Sequence, residues 1–387
     1  MTSQVVCSNL GHTVPTKIKK AMFRQVNDCA FVYGALGNNP TTTRLASKLN
    51  DCTPPHMTGF LFPSSGSEAN EAAIRMSRLY TGRKKIITVD KSYHGSTGIS
   101  LAAGRDARRK YVSSENDTDH AANDCNHMHG VVAGDLVQFE RDIERLGPET
   151  IAGVLLESII GSGGIHHHTD EWMGGVQAIC RKHGILLIMD EVMTGFGRTG
   201  RMWGFENYSA VDLKPDIISF AKGFTAGVLP MSGVGVADYL HDHFQTNSIG
   251  YGNTWQAHPV CAAAAIATIE YLEEHDIVAS VERKSNTVMR ERMDRTAKSP
   301  IFRSAYRRYG FFACLDMCEP DGSGNDASSD TTDIFQKYMT DEGIMGFFRP
   351  PALHIAPPLI TTNEEIHQLF DSIDRAAMRT IQRTQPP

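Results

Sequence analysis

No run in this sequence is apolar for long enough to cross a bilayer, and Met1 to His12 lacks the charged-then-apolar order of a signal peptide. Those two absences argue against an integral membrane or secreted protein, and a cytoplasmic location is expected. Regular cysteine pairing is missing too. Eight cysteines lie scattered through 387 residues, a length that needs no disulfide staples, so free thiols in a reducing compartment are expected. Cys314 and Cys318 have no second pair to complete a zinc ribbon. His120, Cys125, His127 and His129, and the run His166-His167-His168, offer ligand types without a fixed ligand frame, so no metal is expected. A basic surplus is also lacking. The net charge of -6 argues against nucleic-acid or membrane-surface partners, and the densest basic cluster, Arg105, Arg108, Arg109 and Lys110 beside Asp106, reads as a solvated helix face. No internal repeat or low-complexity segment stands out.

What remains is an ordinary globular composition, 41% hydrophobic and 21% charged. The length exceeds the roughly 250 to 300 residues at which one core stops growing, so more than one domain is expected. Apolar runs alternate with helical patterns through the middle of the chain, the mark of parallel α/β structure. Ile151 to Leu156, Ile185 to Met189, Asp216 to Phe220 and Met231 to Val236 read as buried strands, and Trp172 to His183 as a helix. Past about Glu270 the pattern changes to charged helices and short strands. The expected division is therefore an N-terminal segment over 1–40 packing with the small domain, a large cofactor-binding domain over 41–270, and a small C-terminal domain over 271–387. The polar stretch Glu319 to Thr332 reads as a surface loop.

Three segments carry chemistry. Pro63 to Glu71 places small residues ahead of a helical stripe of Ala69, Ala72, Ala73, Met76 and Leu79, and unpaired backbone N–H groups at such a start can hold a phosphate. Alone it reads better as a plain serine-capped helix start. Met189-Asp190-Glu191-Val192 ends a buried strand, where open α/β sheets place their ligands, and an anionic Asp190 there favours a protonated ring nitrogen. Lys222 follows the strand Asp216 to Phe220. A lysine at the buried end of a strand must lose its charge or find a partner, and an imine with an aldehyde cofactor removes that cost. Gly195 to Gly200 matches the dinucleotide fingerprint G-x-G-x-x-G. It begins too far past the strand for a tight turn, and no helical stripe follows it.

Together with Asn9 to His12, Tyr93-His94-Gly95, Gly147 to Ile151, Asn253-Thr254 and His258-Pro259, these segments resemble the class III aminotransferases of pyridoxal-phosphate (PLP) fold type I. The resemblance extends over nearly the whole chain. It implies an α/β fold, with a large domain built on a mostly parallel sheet flanked by helices and a smaller α+β domain. It also implies a PLP-dependent transaminase with Lys222 as the Schiff-base lysine and Asp190 on the pyridinium nitrogen. Gly66 and Ser67 would bind the phosphate, Tyr93 would stack on the ring with His94 beside it, and Val192 would pack on the opposite face. Glu157 would support the cofactor. Thr254 would reach the phosphate of a neighbouring subunit, which makes the protein a homodimer with its sites at the interface.

The substrates implied are an amine donor and a keto-acid acceptor. Ornithine- and aminobutyrate-type members carry a glutamate where this chain has Ser162 and a glutamine where it has Met193. That difference resembles members that use ω-amino acids or amines with pyruvate. Arg349 resembles the arginine that clamps an acceptor carboxylate. The chain starts almost at the Asn-Leu-Gly-His stretch, where relatives usually have a few dozen residues before it, so the expectation is either a more open substrate pocket or a sequence cut short at that end. The same cofactor apparatus serves aminomutases, lyases and decarboxylases of this fold. A nicotinamide oxidoreductase and a non-catalytic binding protein fit the residues less well.

Overall fold

Buried strands covered on both faces show no alternation of polar and apolar residues, and the four expected strands have that character. In the computed structural model, which describes residues 6–34, 37, 39–106, 108 and 127–384, they appear with small boundary shifts. In chain order the large sheet is built from β1 (Met57–Leu61), β2 (Lys85–Val89), β3 (Met128–Val131), β4 (Ile151–Glu157), β7 (Leu186–Asp190), β8 (Ile217–Phe220) and β9 (Gly233–Ala237). A two-stranded ribbon of β5 (Ile159–Ile160) and β6 (His166–His167) follows β4. Every residue of β4, β7, β8 and β9 is buried.

The strand order is β1-β9-β8-β7-β4-β2-β3, with β3, β2, β4, β7 and β8 parallel and β9 antiparallel to both its neighbours. One feature of the register positions the site. Glu157 of β4 pairs with Asp190 of β7, and Asp190 pairs with Ser219 of β8, so three polar side chains line up at one sheet edge.

Helix α1 (Thr16–Cys29), α2 (Pro40–Asn50) and α3 (Gly66–Thr81) precede the parallel strands. Ser65 caps α3 by accepting from the Glu68 amide at 3.3 Å, and Gly82, at φ 67°, ends it through a bond to the Arg78 carbonyl. The expected helix over Trp172 to His183 spans Asp170–His183, because Thr169 accepts from the Trp172 amide and starts it earlier. An alanine-rich helix, Pro259–Glu274, runs through residue 270, and α1 lies along it with Lys17 paired to Glu270.

A second, antiparallel sheet has the order β10 (Phe302–Tyr309), β11 (Phe312–Met317), β13 (Ala352–Ile355), β12 (Phe347–Arg349). The helix Arg290–Thr296 packs on β10, the helices Ser329–Asp341 and Asn363–Thr384 pack on each other, and Phe335 of the former meets Phe302 of β10 at 5.7 Å. The polar stretch Glu319 to Thr332 is a loop only in its first part. Ser328 caps a helix at Ser329 by accepting from the Thr331 amide, and Glu319 accepts from both Ser328 and Thr331.

The described members of the basic cluster, Arg105 and Arg108, do not lie on a solvated α-helix face. The helix ends at Ala103, and Arg105 and Arg108 are half-buried, with Arg105 Nε 2.9 Å from Thr88 Oγ1. Arg109 and Lys110 lie outside the described residues, as do His120 and Cys125. Among the described residues no group of three or more His, Cys, Asp or Glu is arranged to hold a metal, and no helix is long and apolar enough to cross a membrane.

The glycine-rich segment Gly195 to Gly200 is a joint between the two sheets. Phe196, Gly197 and Gly200 have positive φ, which turns Arg198 inward. Its buried guanidinium donates to the carbonyls of Phe311 at 2.9 Å and Pro357 at 2.7 Å, and to Asn9 Oδ1 at 2.9 Å. Gly310 approaches so closely that a Cβ there would meet the Thr199 carbonyl carbon at 2.2 Å. Arg198→Met would leave two carbonyls and an amide oxygen unsatisfied. It should cost about 3 kcal/mol or more, read as a lowered denaturant midpoint. A midpoint within error of the parent would remove Arg198 as the joint.

Candidate active site

The aligned strand ends open into a cavity of ≈ 140 Å³ at the start of α3. Gly66, Ser67, Tyr93, His94, Glu157, Asp190, Val192 and Lys222, drawn from five separate stretches of sequence, all line it. Thr254 and Arg349 do not. Thr254 is exposed on the loop before the Pro259–Glu274 helix, next to Trp255, which is 60% exposed. Arg349 is exposed at the end of β12, with its guanidinium over the Phe347 ring.

Asp190 is buried and fully engaged. Its Oδ2 accepts from Asn70 Nδ2 at 2.7 Å and lies 2.9 Å from His94 Nδ1, while Oδ1 accepts from the Val192 amide at 3.0 Å. A carboxylate only accepts, so His94 carries its proton on Nδ1. Its Nε2 is buried without a partner. Asn70 is the residue that sequence reasoning missed. From the buried face of α3 it also donates to the His94 carbonyl at 2.7 Å and accepts from Ser219 Oγ, so it ties α3, β7, β8 and the loop after β2 together. Its signal was an asparagine inside an otherwise apolar helical stripe.

Glu157, beside Asp190 in the register, accepts from the Tyr93 amide at 2.9 Å and the Gly161 amide at 2.8 Å. Burial, and then the neighbouring Asp190 charge, push its carboxyl up to about 7, although His94 opposes the rise. Glu191 turns away from the cavity. It takes donors from Ser158 and Thr194, and from the amides of Gly204 and Phe205, so it organises the loop after β7.

On the far side, Gly66 is closely packed. A Cβ there would sit 3.0 Å from both Val192 methyls, tighter than most such contacts, so the bare backbone eases the close start of α3 at the strand ends. Ser67 Oγ accepts from the Ser96 amide at 3.0 Å, and the Tyr93 hydroxyl lies 2.7 Å from Ser96 Oγ. Lys222 starts a short turn with φ 47°, a strained conformation for a lysine. Burial pushes its ammonium down, while Cys7, Asp190 and Glu157 pull it up.

The chain matches the family Aminotransferase class-III over residues 1–377. It is a class III aminotransferase. Gamma aminobutyrate transaminase 3 of Solanum lycopersicum is 31% identical over 98% of this chain and 76% of that one. Putrescine–pyruvate aminotransferase of Pseudomonas aeruginosa is 28% identical over 94% of this chain and 83% of its own. Among solved structures, the taurine:2-oxoglutarate aminotransferase of Bifidobacterium kashiwanohense, in complex with PLP and glutamate, superposes with a TM-score of 0.91 at 29% identity. It covers 99% of this chain and 89% of that one. The fold is PLP fold type I, as the sequence implied, and the cofactor of this aminotransferase is pyridoxal 5'-phosphate.

The residues fit that group. A helix start stripped to glycine suits a phosphate, a fixed anion suits a ring nitrogen, and the Lys222 amine lies in the same cavity. Proton linkage gives a test on the cofactor-free protein. A carboxyl raised in the folded state stabilises the fold fully below its unfolded value, and that stability is lost as pH rises through the folded value. Glu157 and Glu191, both pushed to about 7, should therefore make unfolding easier between pH 5 and 8. Each contributes a slope of up to about 1.4 kcal/mol per pH unit. Glu157→Gln should flatten that slope in denaturant titrations, and an unchanged slope would show that Glu157 ionises normally.

Proposed function

We propose that this enzyme moves an amino group from an amine or ω-amino acid to a keto acid, preferably pyruvate, with Lys222 holding PLP as a Schiff base. The observation that carries this reading is the meeting of Lys222, Asp190 and the start of α3 in one cavity. When bound, the protonated pyridine ring of PLP takes up the electron pair left when a proton leaves the substrate's amino-bearing carbon. The chain's own groups do the rest. Asp190, fixed by Asn70 and His94, holds the ring-nitrogen proton. Gly66 and Ser67 receive the phosphate, and Tyr93 and Val192 bracket the ring. The Lys222 amine, its basicity lowered by burial, carries the proton between substrate and cofactor.

The acceptor preference rests on the side chains beyond the cofactor end. Met193 lines the cavity and Ser162 replaces the glutamate of other branches, so neither side chain itself offers a charge to a second carboxylate of 2-oxoglutarate. Relatives named for pyruvate and for 2-oxoglutarate are both similar to this chain, so family membership leaves the acceptor open. Borohydride should fix the cofactor irreversibly on Lys222, located by peptide mapping. Pyruvate should reoxidise the amine form of the cofactor faster than 2-oxoglutarate in single-turnover titrations. A label on another lysine, or faster turnover with 2-oxoglutarate, would overturn the respective half of this reading.

The enzyme works as a homodimer on this reading. Support comes from an apolar hollow lined by Val26, Phe31, Leu229, Trp255 and Val260 on the surface beside Thr254. Phe31 packs edge-on against Trp255 at 5.5 Å, and both rings remain largely exposed in one chain. Thr254 outside its own cavity is then a residue for the partner's phosphate. Pairing a Lys222→Ala chain with a Thr254→Ala chain should place both lesions in one site and leave the other intact, giving active mixed dimers. Inactive mixed dimers, or a monomer at working concentration, would count against it.

A further inference from the structure

The cofactor cavity holds two acids and one ammonium group. Glu157 and Asp190 both line it, and Lys222, the single cation among its described lining residues, is committed to the cofactor. A keto acid or an ω-amino acid brings a carboxylate into this place. Without a further cation that charge would be desolvated beside two acids.

Arg349 stands away from the cavity lining, on the β12–β13 turn over Phe347. Arg108 lies behind the lining, against Tyr93 of the cavity wall. Its guanidinium carbon lies 3.5 Å from the centroid of the Tyr93 ring, and Nη2 is 3.3 Å from Ser162 Oγ. It thus bridges the loop after β2, which carries Tyr93, and the loop after β4, which carries Ser162. Gly161, next to Ser162, is tight against Met193 on the cavity wall, where a Cβ would meet the Met193 sulfur at 2.5 Å.

Arg108 is also preset. Asp106 takes Nε at 2.9 Å together with Nη2, and its other oxygen accepts from the Arg108 amide at 2.9 Å. Stacking on Tyr93 fixes the plane of the fork, and Nη1 meets no acceptor among the described residues. Its charge reaches Lys222, whose ammonium it helps to push down.

We propose, on the transamination reading above, that Arg108 is the specificity-determining residue that binds the substrate's carboxylate at the mouth of the cofactor cavity. A flat guanidinium whose Nη1 is open among the described residues suits a carboxylate through charge-assisted bonds. Asp106 holds the fork ready between turnovers. The carboxylate can belong to the acceptor keto acid or to an ω-amino acid donor, and the two are separable by experiment.

The test compares Arg108→Met, which keeps the packing on Tyr93, with Arg349→Ala in the holoenzyme. Pyruvate and β-alanine serve as carboxylate substrates, and propanal and propylamine as their carboxylate-free counterparts. Arg108→Met should lower kcat/KM for pyruvate, β-alanine or both by about 10- to 100-fold, mainly through KM, while leaving propanal and propylamine within about threefold. Loss with pyruvate alone assigns the acceptor, and loss with β-alanine alone the donor. Arg349→Ala should change none of them selectively.

Binding of propionate, which cannot react, is measured by calorimetry on the same proteins. It should weaken by a similar factor in Arg108→Met. An equal loss on all four substrates with unchanged propionate binding would make Arg108 a structural brace and overturn the proposal, as would a selective loss in Arg349→Ala instead. If the parent turns over none of these substrates, the transaminase reading fails. Propionate binding then still decides the role of Arg108.

Discussion

The site depends on one carboxylate fixed where three parallel strands end in register. Asp190 sits between Glu157 and Ser219 across β4, β7 and β8. Two acids side by side in a dry sheet edge repel each other unless each has its own donors. Glu157 takes the Tyr93 and Gly161 amides, while Asp190 takes Asn70, His94 and the Val192 amide. The donors divide the labour. Asp190 receives side-chain donors from Asn70 and His94, whereas Glu157, with backbone donors, is pushed towards neutrality by burial. The same bonds draw the loops after β2 and β4 over the cavity, so electrostatics and loop placement are one problem with one solution.

The supporting shell is built from polar groups that never touch the cavity. Glu191, adjacent in sequence to Asp190, collects four donors and shapes the loop after β7. Arg198 then pins that loop to the small sheet and to Asn9. His354 reaches the Gly161 carbonyl and Arg307 the Gly164 carbonyl, so the hairpin after β4 is held from the small sheet as well. The walls of the cofactor cavity are therefore fixed by both sheets.

Much of this was legible in the sequence because each cofactor-side residue lies at an element boundary. Strand ends are marked by an apolar run and then a polar residue, which located Asp190, and the small-residue helix start located Gly66 and Ser67. Asn70 was hidden because one polar residue in a buried helical stripe has many innocent explanations. Its partners come from β7, β8 and the loop after β2, at separations no local pattern reports. Arg108 was misread for a related reason. A basic cluster beside an acid has the composition of a solvated helix face, and only the turn after Ala103 brings it onto Tyr93.

Composition and periodicity by themselves determined the fold class, and the resemblance carried by the ordered motifs implied the cofactor, since these follow from local runs and short spacings. The tertiary structure alone decided which side chains meet across the strands. It aligned Glu157 with Asp190, turned Glu191 away, made the fingerprint-like glycines a joint, and laid Arg108 against Tyr93. The physical reason is that hydrogen bonds and charges act over a few ångströms in space, whatever the separation along the chain. The register of three buried strands converts distant positions into neighbours.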